Sequence, residues 1–199
     1  VTDAIKSAKS VLNSKKRIQK QIDRELTALK SAMNRLILTE AAADEKIFTA
    51  IPDEYRAESK NQGIIENLEY TVMNSTKTET KKLNVYLPYG YSASDTNKKY
   101  NILYLMHGGG ENENTIFGGP GQNKELKRIL DKMIEKNDIE PLIVVTPTFY
   151  GGKNDTALFH EELTNSIIPF IETKYNTYAV SGKPEDLKAS REHRAFGGF

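Results

Sequence analysis

Cysteine is absent from all 199 residues, which removes disulfides, thiolate metal sites and a cysteine nucleophile together. Histidine is scarce: only His107, His160 and His193 occur, none in an H-E-x-x-H spacing, so no metal site is expected. No apolar run approaches the ~18 to 20 residues that span a bilayer, so no membrane-crossing helix is expected. The opening Val1-Thr2-Asp3 has neither methionine nor the basic, apolar and small-residue series of a signal peptide, and the native start is expected upstream. Excess charge is lacking too. A net charge of +1 with 38% hydrophobic residues suggests neither a polyanionic partner nor disorder. The length suits one ordinary domain plus a small accessory segment.

What is present changes character along the chain. From about Asp3 to Ile37, apolar residues recur at spacings of three and four: Ile5, Ala8 and Leu12, then Ile18, Ile22, Leu26, Leu29, Met33, Leu36 and Ile37. Asn13-Ser14 interrupts this stripe, so an α-helical hairpin is predicted rather than one rod. Lys15, Lys16, Arg17, Lys20 and Arg24 lack aromatic interleaving and any groove-reading motif. They read as a solvated face, and no nucleic acid is expected as a partner. Ala41-Ala42-Ala43-Asp44-Glu45 then leads to Ile51-Pro52, where the helical period ends. The expected organisation is a helical module over residues 1–40, a linker over 41–51 and a second domain over 52–199.

In that second domain, Leu68 to Met73 and Lys82 to Leu87 alternate apolar and polar residues, as half-buried antiparallel strands do, with Asn74-Ser75-Thr76 as their turn. Tyr100 to Met106 and Pro141 to Thr146 are near-continuous apolar runs, the pattern of central parallel strands covered on both faces. Lys124 to Lys136 and Glu161 to Tyr175 have helical periodicity. An α/β class follows: antiparallel strands first, then parallel strand–helix–strand units. Ala195-Phe196-Gly197-Gly198-Phe199 reads as one more buried strand running into glycine.

Several groups have a plain reading. His160-Glu161-Glu162 opens a helix, where acidic side chains meet the positive end of the macrodipole and need no catalytic role. Gly118-Gly119-Pro120-Gly121 lacks the G-K-[ST] of a phosphate loop, so no nucleotide is expected; the sequence calls for no cofactor. Thr148-Phe149-Tyr150-Gly151-Gly152 is either a surface loop or a pair of rings beside a substrate cleft.

Four separated segments carry a resemblance: Val85-Tyr86-Leu87-Pro88-Tyr89-Gly90-Tyr91; Tyr104-Leu105-Met106-His107-Gly108-Gly109-Gly110-Glu111-Asn112-Glu113-Asn114; Pro141-Leu142-Ile143-Val144-Val145-Thr146-Pro147; and Arg191-Glu192-His193-Arg194-Ala195-Phe196-Gly197-Gly198-Phe199. In this order they resemble the feruloyl esterase domains of bacterial xylanases, over roughly Ile51 to Phe199. Acetylxylan esterases, S-formylglutathione hydrolases and mycolyltransferases belong to the same wider group. The resemblance implies an α/β-hydrolase sheet, incomplete in these residues, and a serine, acid and histidine triad.

It places Gly108, Gly109 and Gly110 in the oxyanion loop after a central strand, with the N–H of Gly109 as a donor. Gly198 and Phe199 are the approach to the G-x-S-x-G elbow, so serine is expected directly after Phe199, acid and histidine further on, and the 199 residues alone are expected to be inactive. His107 and His193 with Arg194 are expected to be structural, and Glu111 to Asn114 to border the cleft. The implied parent is secreted, acts on feruloylated xylan of the plant cell wall, and contains other modules of a multidomain glycoside hydrolase. More loosely, the first helices resemble three-helix spacer repeats of Gram-positive surface proteins. The other readings are an acetylxylan esterase or acyltransferase of the same fold, and a non-catalytic binding or spacer segment.

Overall fold

The computed structural model describes residues 50–73, 78–150 and 158–198. The chain divides into two units, Val1–Ala50 and Ile51–Phe199, and the elements below belong to the second. The helices expected within residues 3–37, the basic cluster, the alanine-rich run and the turn at Asn74-Ser75-Thr76 lie outside the described residues.

After a single helical turn, α1 (Asp53–Arg56), come the strands β1 (Ile64–Met73) and β2 (Thr78–Leu87), antiparallel from Ile64 opposite Leu87 to Met73 opposite Thr78. Both exceed their alternating cores because ladder hydrogen bonds continue where side-chain alternation has faded. β3 (Asn101–Met106), α2 (Glu125–Glu135) and β4 (Leu142–Thr146) make a strand–helix–strand unit, with β3 and β4 parallel. β5 (Arg194–Gly198) returns on the far side of β3, parallel to it. The five strands are ordered β1-β2-β4-β3-β5. As the apolar runs predict, β3 and β4 are interior.

Strand periodicity assigns each side chain of these runs to one of two cores. Ile102, Tyr104 and Met106 of β3, with Ile143 and Val145 of β4, pack with Phe159, Ile167, Ile168 and Ile171. Leu103, Leu105, Leu142 and Val144 face Leu126, Leu130 and Ile134 of α2. The two crossover segments therefore cover opposite faces, which is why these strands are apolar at nearly every position.

The second crossover runs as α3 (Phe159–Glu162), a π-helical turn (Leu163–Ile167) and α4 (Ile168–Lys174). The widened turn ends just before Pro169, whose ring would collide with a carbonyl of a regular helix and which lacks the N–H to bond it. Glu162 does more than meet the dipole of the helix it opens. Its carboxylate turns into the core, 2.7 Å from Lys81 Nζ and 2.5 Å from the donating Tyr70 hydroxyl, with both members of the ion pair buried. A short helix not evident from periodicity, α5 (Pro184–Ala189), precedes β5.

β5 is an edge strand of the sheet among the described residues. Phe196 is 57% exposed and Ala195 and Gly198 are exposed, because among the described residues β5 has β3 as its single neighbour. Its position is fixed by charge instead. The Arg194 guanidinium grips the Glu172 carboxylate of α4 through Nε (2.6 Å) and Nη2 (2.5 Å) and donates from Nη1 to Leu187 O (2.8 Å). His193 stacks on Tyr178 and shares a hydrogen bond with Asn101 Oδ1 (2.9 Å), docking the start of β5 against the start of β3.

Three tyrosines tie sheet to helices through carboxylates: Tyr70 to Glu162, Tyr86 to Asp131 of α2 and Tyr175 to Glu66 of β1. Burial first, then the carboxylate partner, pushes all three phenols far above their ordinary value of 10.0. Above that pH the unfolded chain binds fewer protons than the folded one, so stability falls as pH rises past about 10. In an alkaline titration, phenolate absorbance from these residues is expected to appear only together with loss of circular dichroism. Full phenolate absorbance in a chain still folded would contradict this.

Candidate active site

Parallel pairing brings the carboxyl ends of β3, β4 and β5 to one edge of the sheet. Met106 is directly opposite Gly198, so β3 and β5 end at the same level of the sheet. A Cβ on Gly198 would lie 3.3 Å from both Cβ and O of Met106, closer than most side chains tolerate, so glycine lets the two strands approach here. Phe199 lies outside the described residues.

The chain leaves β3 through His107-Gly108-Gly109-Gly110. His107 is buried, and both its nitrogens are occupied: Nδ1 is 2.8 Å from Gly108 O and Nε2 is 2.9 Å from Thr148 Oγ1. Because a carbonyl only accepts, the tautomer with its hydrogen on Nδ1 satisfies both contacts, with the Thr148 hydroxyl donating to Nε2. The imidazole therefore braces the loop after β3 against the loop after β4. It has no nitrogen left for a metal or for base catalysis, and among the described residues no cluster of His, Asp and Glu could hold a metal ion.

Three glycine N–H groups follow, and two are already used. Gly108 N–H donates to Glu111 Oε2 (2.8 Å), and Gly110 N–H donates to the Tyr150 hydroxyl (3.0 Å). Gly109 N–H has no partner among the described residues, and Gly109 is exposed. A free, outward backbone donor at the end of a central strand can receive the negative oxygen that forms when an ester carbonyl is attacked. Tyr150 comes from the loop after β4, its ring 5.8 Å from His107 and 4.6 Å from Phe149. Of the two readings for that loop, the described part sits against the glycine run; Gly151 and Gly152 lie outside the described residues.

Asn84 is a site residue that sequence reasoning missed. Buried on β2, its amide donates to Glu113 O (3.1 Å), Asn114 Oδ1 (2.8 Å) and Gly118 O (3.1 Å), while Asn67 Nδ2 supports its oxygen (2.7 Å). Thr146 Oγ1 also donates to Glu113 O (2.9 Å). These bonds staple the residues after the glycine run to the sheet. Asn84 falls in the polar phase of the alternating run around Leu83, Val85 and Leu87, so its burial, which obliges it to find partners, had no signal in the sequence. Glu111 to Asn114 therefore serve as loop anchors: Glu111 holds Gly108, and the Glu113 carbonyl and Asn114 side chain meet the staple.

Gly110 has φ +78°, a conformation that costs a side-chain residue about 1–2 kcal/mol, whereas a Cβ on Gly109 meets nothing within 4 Å. Gly110→Ala is expected to destabilise by about 1–2 kcal/mol in denaturant unfolding. Gly109→Ala should stay within about 0.5 kcal/mol of the parent. Equal costs at the two positions would contradict this loop geometry.

Comparison with known proteins gives the family. The family model "Putative esterase" matches residues 74–184. Endo-1,4-beta-xylanase Y of Acetivibrio thermocellus is 53% identical over 148 residues, 74% of this chain and 13% of the relative. An endo-1,4-beta-xylanase/feruloyl esterase of Xylanibacter ruminicola is 33% identical over 151 residues, 70% of this chain and 18% of the relative. Among solved structures, a serine-to-alanine mutant of the feruloyl esterase module from Clostridium thermocellum, complexed with sinapinate, matches with TM-score 0.67 and 51% identity, over 76% of this chain and 50% of that one. A ferulic acid esterase of the anaerobic fungus Anaeromyces mucronatus shares the fold at TM-score 0.54 and 23% identity, over 75% of this chain and 55% of that one. The chain thus spans about half the length of these solved structures and less than a fifth of the curated relatives. With a mixed sheet of the α/β-hydrolase kind and the esterase model spanning more than half of its residues, the chain belongs to the esterase family.

Proposed function

We propose that the protein carrying this chain is a serine carboxylesterase that removes feruloyl groups from xylan. The observation that carries the proposal is the one N–H of the glycine run without a partner among the described residues, on Gly109, at the strand end where Met106 and Gly198 stand side by side. In this reading serine follows Phe199 and attacks the ester carbonyl. Gly109 N–H, with the N–H of the residue after the serine, holds the tetrahedral oxyanion. The sugar hydroxyl leaves, and water then releases the acid from the acyl-enzyme, with an acid and a histidine further along the chain completing the triad. One donor of this kind contributes about 10²–10³ in kcat.

The choice of feruloyl ester is supported by the likeness to the endo-1,4-beta-xylanase/feruloyl esterase of Xylanibacter and to the feruloyl esterase module of Clostridium thermocellum. Phe149 and Tyr150 meet edge to face, and Tyr150, bonded to Gly110 N–H and 47% exposed, offers a ring face suited to an aromatic acyl group. A secreted, multidomain glycoside hydrolase is the matching context. There residues 1–40 serve as a helical spacer, 41–51 as a linker and 52–199 as the first part of the esterase domain.

Purified full-length protein, incubated with feruloylated and with acetylated xylan, is expected to release ferulate. Acetate as the sole product would overturn the acyl assignment in favour of an acetylxylan esterase. Release of neither acid would overturn the esterase reading.

A further inference from the structure

Around the glycine run the hydrogen bonds close into a circuit joining two loops. Gly110 N–H donates to the Tyr150 hydroxyl (3.0 Å), Tyr150 N–H to Thr148 Oγ1 (3.2 Å), Thr148 to His107 Nε2 (2.9 Å), and His107 Nδ1 to Gly108 O (2.8 Å). Two of its members, His107 and Thr148, are buried, and Phe149 backs the imidazole with ring centroids 4.6 Å apart. The loop after β3 is thus clamped on both sides of Gly109, through the Gly108 carbonyl and through the Gly110 N–H. The second clamp depends on one atom, the phenolic oxygen of Tyr150.

From this we infer that Tyr150 is a positioning residue for ester hydrolysis: its hydroxyl occupies Gly110 N–H, fixes the Gly109–Gly110 segment and leaves Gly109 N–H as the donor presented to the reacting carbonyl. The inference rests on the esterase reading above. Its physical basis is that an oxyanion donor contributes most when it is already aimed and needs no reorganisation as charge develops. Without the phenolic oxygen, Gly110 N–H becomes a second free donor one residue away, and the Gly109–Gly110 segment, left with only the holds that flank it at Gly108 and at Glu113–Asn114, must be ordered during the reaction. The ground-state ester has little charge on its carbonyl oxygen, so the loss falls on the transition state rather than on substrate binding.

The test uses the full-length protein and Tyr150→Phe, which keeps the ring and its stacking and removes only the oxygen. On a feruloyl ester, kcat is expected to fall about tenfold, on the order of one hydrogen bond, with KM within about twofold. Affinity for phenylboronic acid, which forms a charged tetrahedral adduct on a nucleophilic serine, should fall in parallel, with an unchanged thermal midpoint. Unaltered kcat and boronate affinity in Tyr150→Phe, beside an active parent, overturns the inference and leaves the esterase reading intact. A change in KM alone also overturns it, making Tyr150 a substrate contact. A full-length parent that hydrolyses no ester overturns both.

Discussion

Parallel strand pairing is the constraint from which the rest of this domain follows. Parallel neighbours cannot be joined by a tight turn, so the chain has to cross a face of the sheet between β3 and β4 and again between β4 and β5. With one crossover on each face, the apolar side chains of β3 and β4 divide between two cores. Parallel direction also sends the ends of β3, β4 and β5 to one edge, where buried side chains give way to backbone. The glycine run, the Thr148–Tyr150 loop and Gly198 meet there because the topology leaves them nowhere else to go.

Charge placed inside the fold secures what strand pairing alone leaves loose. β5 has one neighbouring strand among the described residues and little burial, yet Arg194 holds it to Glu172 on the helix covering the sheet, and Tyr104 of β3 donates to the same carboxylate (3.1 Å). On the far side, Lys81 and Tyr70 meet Glu162 at the start of the same crossover. Buried pairs of this kind contribute little over an apolar packing, but removing one partner strands the other at a cost of about 3–5 kcal/mol. They specify which helix face meets which strand.

Much of this was readable in the residues. The unbroken apolar runs of β3 and β4 marked strands covered on both sides, and the glycines after Met106 marked a place where backbone rather than side chain is presented. Local patterns were silent where a residue's role depends on a distant partner. Glu162 reads as a helix-opening acid until Lys81, far away in sequence, arrives beside it. Asn84 reads as a solvent-facing position of an alternating strand until the loop at Glu113 closes over it. Tyr150 looks like a loop aromatic, and only the hydrogen bond to Gly110 shows why a phenol sits there.

The central claim is that Gly109 N–H is the donor reserved for the reacting oxygen. It is tested most directly by a crystal structure of the full-length protein with an arylphosphonate bound as a tetrahedral adduct. The account predicts a phosphonate oxygen about 2.7–3.1 Å from Gly109 N, with Gly110 N–H still on the Tyr150 hydroxyl. An oxygen bound instead by Gly108 or Gly110 N–H, with Glu111 or Tyr150 displaced, would contradict it.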